Sequence, residues 1–75
     1  MDQQCYEVLQ KIFEATKNIT DGWCPSVNIN LRSSERVRVC ETLIQHGFIS
    51  DVDYIGQTYI SCRVTNKVLE QITFD

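Results

Sequence analysis

The sequence changes its period most sharply at Gly47, and that change constrains the fold more than any other feature. Before it, Val37, Cys40, Leu43 and Ile44 recur at three- and four-residue steps, the spacing of one helix face. After it, Phe48 to Val64 reads as a β-hairpin, with Ile49, Val52 and Tyr54 going out, Gly56-Gln57 turning, and Tyr59 to Val64 returning. A glycine at such a join suits the left-handed position that ends a helix, and Phe48 is placed for the apolar contact that closes the cap. Ser33 or Ser34 is expected to cap the start of this helix, with Glu35 in the first turn where a carboxylate suits the dipole.

The hairpin register follows from the pattern. A two-residue loop at Gly56-Gln57 sets Asp53 opposite Ile60 and Asp51 opposite Cys62. An odd-length loop sets Val52 opposite Ile60 and gathers Tyr54, Cys62 and Val64 on the same face. A one-residue slip exchanges the two faces completely, so the odd loop is expected. Asp51, Asp53, Tyr59, Ser61 and Arg63 then face solvent.

Three further elements flank this centre. Residues 3–17 form an amphipathic helix, with Cys5, Val8, Leu9, Ile12, Phe13 and Thr16 on its apolar side. Asn18 is its expected stop. Residues 23–31 are ambiguous. Val27, Ile29 and Leu31 alternate with asparagines as in a strand, yet Pro25 suits the first turn of a very short helix. An irregular or one-turn element is expected there. Thr65 is placed to cap a short last helix carrying Val68, Leu69 and Ile72, with Phe74 adding to the core.

Seventy-five residues, 43% of them hydrophobic and 23% charged, fit a single folded α+β domain over 1–75 with a modest core. No apolar run is long enough to span a membrane, and the start Met1-Asp2-Gln3-Gln4 lacks the form of a signal peptide. A cytoplasmic location is expected. There the four cysteines Cys5, Cys24, Cys40 and Cys62 stay reduced and pack as small hydrophobes. No Cys-x-x-Cys pair occurs and His46 lies at no usual ligand spacing, so zinc is the lesser reading and no cofactor is expected.

The order of elements is helix, short second element, capped helix, hairpin, helix. Two stretches carry a resemblance. Cys40-Glu41-Thr42-Leu43-Ile44-Gln45-His46-Gly47-Phe48-Ile49 looks like the end of the third helix of a winged helix-turn-helix domain. Tyr59-Ile60-Ser61-Cys62-Arg63-Val64-Thr65-Asn66-Lys67 looks like its second wing strand running into a last helix. The chain is most similar, over about residues 4–73, to the small YjcQ-like winged-helix proteins of bacteria and their phages. It departs from them at Val68, where a glycine is usual, and in a second helix reduced to Pro25–Asn30 or absent.

The resemblance implies a small transcriptional regulator that lays its third helix in the major groove of double-stranded DNA. A helical projection places Ser34, Glu35, Arg38, Glu41, Thr42 and Gln45 outward. Arg38, Thr42 and Gln45 suit base edges, Arg32 and the amides at Ser33-Ser34 suit phosphate, and Arg63 lies on the wing. Arg36 projects toward the core side. Against this stand Glu35, Glu41, Asp51 and Asp53 on the same surfaces and a net charge of −3. The competing class is a protein-interaction module, an adaptor or phage-type inhibitor, or a homodimer, with Tyr59, Tyr54 and Trp23 as candidate contacts. An enzyme is the least favoured class. No nucleophile–base pair, phosphate loop or metal set is visible, and His46 suits the helix end by charge alone.

Overall fold

Asp2 begins the first helix. Its Oδ1 accepts the Cys5 amide at 3.0 Å, and α1 (Gln3–Thr16) follows. The computed structural model describes residues 1–67 of the chain. Helix α1 buries Cys5, Val8, Leu9, Ile12 and Thr16, the expected stripe, with Phe13 half-covered at its margin. The Thr16 hydroxyl is satisfied inside by donating to the Ile12 carbonyl at 2.8 Å.

The segment expected to be irregular or a single helical turn is a strand, β1 (Trp23–Asn28). The reason is a partner distant in sequence. The returning strand of the hairpin, β3 (Tyr59–Val64), pairs antiparallel with β1, setting Trp23 against Arg63, Cys24 against Cys62 and Val27 against Ile60. One extra residue bulges out of β1 between Cys24 and Val27, leaving Pro25 and Ser26 exposed. Proline is tolerated at such an edge because the ladder there asks for no amide donor. Past the strand, Asn28 Oδ1 accepts the Asn30 amide and Asn30 turns to φ 57°, while Ile29 is buried. The alternation of Val27, Ile29 and Leu31 therefore spans a strand end and a turn.

Helix α2 (Ser33–Gln45) comes next, so two helices precede the hairpin, and a strand stands where the winged helix-turn-helix expectation had a second helix reduced to Pro25–Asn30 or absent. No helix lies between β1 and α2. Arg32 occupies the N-cap with no side-chain cap, in place of the serine expected there. The C-terminus follows expectation closely. Gly47 takes φ 79°, its amide donates to the Ile44 carbonyl at 2.9 Å, and the Phe48 amide reaches back to Leu43 at 3.0 Å. That pair of bonds is the Schellman closure.

The hairpin is β2 (Ile49–Ile55) and β3, and the sheet order is β1-β3-β2, antiparallel throughout. Its loop is odd as expected, three residues between the Ile55–Tyr59 pair. The pairing is displaced by two residues, so that Tyr54 and not Val52 lies opposite Ile60. A bulge between Ser50 and Asp53, with Asp51 at φ 52°, then brings Ile49 against Val64. The two-residue displacement preserves facing, and the bulge returns Ile49 to the core. On β3, Ile60, Cys62 and Val64 point into the core shared with both helices, while Tyr59 and Arg63 are exposed. Ser61, expected in solvent, is buried in the middle of the central strand.

The expected C-terminal helix around Val68, Leu69, Ile72 and Phe74 lies outside the described residues. Within them, the Thr65 hydroxyl donates to the carbonyls of Gly47 (2.6 Å) and Phe48 (3.1 Å) at the α2–β2 join. No helix of the described residues is long and apolar enough to cross a membrane.

Candidate interaction surface on α2 and the hairpin

The rotation of α2 about its own axis decides which side chains it offers. Val39, Cys40 and Leu43 are fully buried, and Arg36 is half-buried beside them. Val37 and Ile44, expected inside, are 37% and 41% exposed. Arg36 explains the difference. Its Nη1 donates to the carbonyls of Ile55, Gly56 and Tyr59 at 3.0–3.2 Å, and its guanidinium lies 5.2 Å from the centre of the Tyr54 ring. Holding the hairpin turn this way requires Arg36 on the sheet side of the helix, which turns Val37 and Ile44 outward.

The outer surface of α2 therefore has two flanks. Val37, Glu41 and Ile44 fall within about 60° of one another around the axis. Tyr54, 41% exposed, lies on the neighbouring strand β2 beside Arg36. The charge of Glu41 and the burial of Tyr54 against α2 both act on this phenol, and burial, the larger effect, raises its pKa.

The other flank carries the residues singled out for DNA. Arg38 is engaged there by α1 and by its own helix. Its Nη1 meets Asp2 Oδ2 at 3.1 Å, and its Nη2 meets Glu35 Oε2 at 3.1 Å and the Gln4 side chain. The Glu35 bond first, with Asp2 adding to it, holds the guanidinium charge more firmly still. The Asp2 carboxyl is held below its usual range, chiefly by the Cys5 amide. The Thr42 hydroxyl is turned back onto the Arg38 carbonyl at 2.9 Å. Ser34 and Gln45 are exposed at the two ends of the helix.

Arg32 is exposed and lines an open cleft of about 340 Å³ with Ser33, Arg36, Gly56 and Gln57, where the start of α2 meets the hairpin turn. Arg63 does not join these residues. It lies on the sheet face turned away from the helices, its guanidinium 5.6 Å from the Trp23 ring centre and its Nε 3.7 Å from Asp51. The six proposed contacts thus divide into Arg32, Ser34, Arg38, Thr42 and Gln45 along α2, and Arg63 elsewhere.

The apolar flank escaped the sequence reading because Val37 completes a helical stripe as well as Val39 does. The better signal was Arg36, which stands with Val39, Cys40 and Leu43 at steps of three, four and seven. Asp2 was likewise legible as a cap, an aspartate immediately before an apolar-periodic run.

No protein-family model matches the chain, and no curated protein or solved structure is significantly similar to it.

Proposed function

We propose that this protein is an interaction module that grips another protein through α2 and the adjoining β2. The observation that carries this reading is the exposure of Val37 and Ile44 on one flank of α2, with Tyr54 exposed on the adjoining strand. Neighbouring exposed apolar groups on one surface mark contact sites more often than scattered ones do. Glu41, on the same flank, selects for a cation on the partner. It also disfavours a second copy of the chain, because an antiparallel two-fold pairing centred on this patch, between Val37 and Ile44, would bring the two Glu41 carboxylates together. The fitting partner is a different protein with an apolar patch and a Lys or Arg within it.

A second reading keeps double-stranded DNA as the partner and the chain as a transcriptional regulator of winged-helix type. It is favoured by Arg32 and Ser34, exposed at the start of α2 beside the hairpin turn. The sheet order, with a hairpin returning beside the preceding strand, is compatible with it. Its weakness is electrostatic. Arg38 is shared between two carboxylates, and the chain carries a net charge of −3 where phosphate contacts require cations.

One experiment separates the two. A photo-cross-linking side chain at position 37, in living cells, is expected to yield a discrete protein adduct that Ile44→Glu abolishes, with no adduct from position 10. In parallel, anisotropy of a labelled random duplex is expected to stay flat at low salt. DNA affinity that falls steeply with salt, and is lost in Arg38→Glu, would overturn the protein-contact reading in favour of the regulator.

A further inference from the structure

Cys24 and Cys62 face one another directly across β1 and β3, and both are fully buried. The Val64 amide donates to the Gly22 carbonyl at 2.7 Å, which makes the pair two positions away hydrogen-bonded. The alternation of an antiparallel ladder then places Cys24 and Cys62 in the same kind of pair, with Cα atoms about 5.5 Å apart. That separation lies within the Cα range a disulfide spans, roughly 4.4–6.8 Å, and because side chains of a hydrogen-bonded pair stand wider than a disulfide's Cβ spacing, closure draws the edge strand inward. Cys5 and Cys40, also buried, sit on the two helices and on no common strand pair.

We propose that Cys24 and Cys62 are a reversible oxidation site, closing to a cross-strand disulfide when the protein meets a peroxide. The two sulfurs are unequal. The proximity of Cys62 lowers the pKa of Cys24 and the proximity of Cys24 raises that of Cys62, burial acts against ionisation of both, and the Cys24 thiol donates to the Pro25 carbonyl at 3.3 Å. Cys24, on an edge strand beside a bulge, is the sulfur placed to react first, and Cys62, on the central strand, is the one that resolves. Its thiolate attacks one peroxide oxygen, forming a sulfenic acid and releasing water once the leaving hydroxide takes up the thiol proton. Cys62 then attacks the Cys24 sulfur, the S–O bond breaks, and a second water leaves. Two thiols and one hydrogen peroxide give one disulfide and two waters.

Access is provided by the position of Cys24. It lies on an edge strand, directly before the bulge at Pro25-Ser26, where two exposed residues interrupt the pairing. Short openings at such an edge need only a fraction of the stability of the whole domain. The resulting bond ties β1 to β3, closes about half of the chain into a loop, and removes that opening.

The test uses the intact protein, treated with a small excess of hydrogen peroxide, alkylated, and analysed by intact mass and tryptic mapping. The expected product has lost two hydrogens, bridges the peptides holding Cys24 and Cys62, and leaves Cys5 and Cys40 open to alkylation after denaturation. Its melting temperature should rise by on the order of 10 °C and return on reduction. Cys5→Ser should give the same bridge, and Cys62→Ser should not. Mapping of the unmodified sequence decides the matter even if a variant fails to fold. A Cys40–Cys62 bridge, a sulfinic acid without cross-link, or the mixture of pairings formed in guanidinium would each overturn the proposal.

Discussion

The guanidinium of Arg36 reaches the Tyr59 carbonyl at 3.0 Å, joining the first turn of α2 to the start of the returning hairpin strand. The same nitrogen serves the Ile55 and Gly56 carbonyls, so one side chain gathers both ends of the turn. Arg36→Ala should destabilise the domain by about 1–2 kcal/mol, the range for losing a charged hydrogen-bond donor whose acceptors can turn to water. Arg36→Lys should recover only part of this, because an ammonium lacks the planar fork. Urea denaturation measures both, and an Arg36→Ala midpoint equal to that of the natural sequence would remove Arg36 as the clamp.

Adjacent positions on α2 should behave very differently. Leu43 has no exposed surface and Ile44 is 41% exposed. Leu43→Ala is expected to cost about 2–5 kcal/mol, as cavity-forming changes do, and Ile44→Ala to stay within about 0.5 kcal/mol. Equal losses at the two sites would mean that α2 is rotated from the orientation described.

Gly47 tests the helix stop. A Cβ there meets nothing within 4 Å, so steric crowding plays no part and the φ of 79° alone sets the cost. Gly47→Ala should lose about 1–2 kcal/mol, with Gly47→Asn milder. Chemical denaturation of the three proteins side by side gives the ranking, and an unaffected alanine variant would contradict the left-handed closure.

Acid should loosen the start of α1. The Asp2 carboxyl is depressed by the Cys5 amide and then by Arg38, so its contribution is present above the unfolded pKa of about 3.9 and is lost as pH falls through the lower folded value. Amide exchange at Cys5 should therefore accelerate, relative to the middle of α1, as pH drops below about 4. Asp2→Asn retains a capping oxygen and should lose most of this extra acid sensitivity. An identical pH profile in the two proteins would place the effect on other carboxylates.

The local parts of the fold were legible because short-range rules settle them. The α1 stripe, the Gly47 closure and the odd hairpin loop each depend on a few neighbouring residues. Strand β1 was not legible, because Trp23–Asn28 becomes a strand only when β3, more than thirty residues later, lies beside it. The facing of α2 was missed for a related reason. Val37 and Val39 compete for the core, and the contact that decides between them runs from Arg36 to the hairpin turn. For the candidate surface, residue type indicated Arg38 as a reader, but only the position of Asp2 on another element shows where its charge is spent.

The bulge at Pro25-Ser26 in β1 has a counterpart at Asp51-Val52 in β2, so each outer strand of the sheet is irregular and the central one alone is straight. A free sheet margin is a template on which a neighbouring chain can add itself as a further strand. Here one margin lacks an amide at Pro25 and the other presents Asp51 and Asp53 beside a kink. Both borders are thereby blunted against growth of the sheet from molecule to molecule, and a high local concentration of this protein is expected not to nucleate fibres.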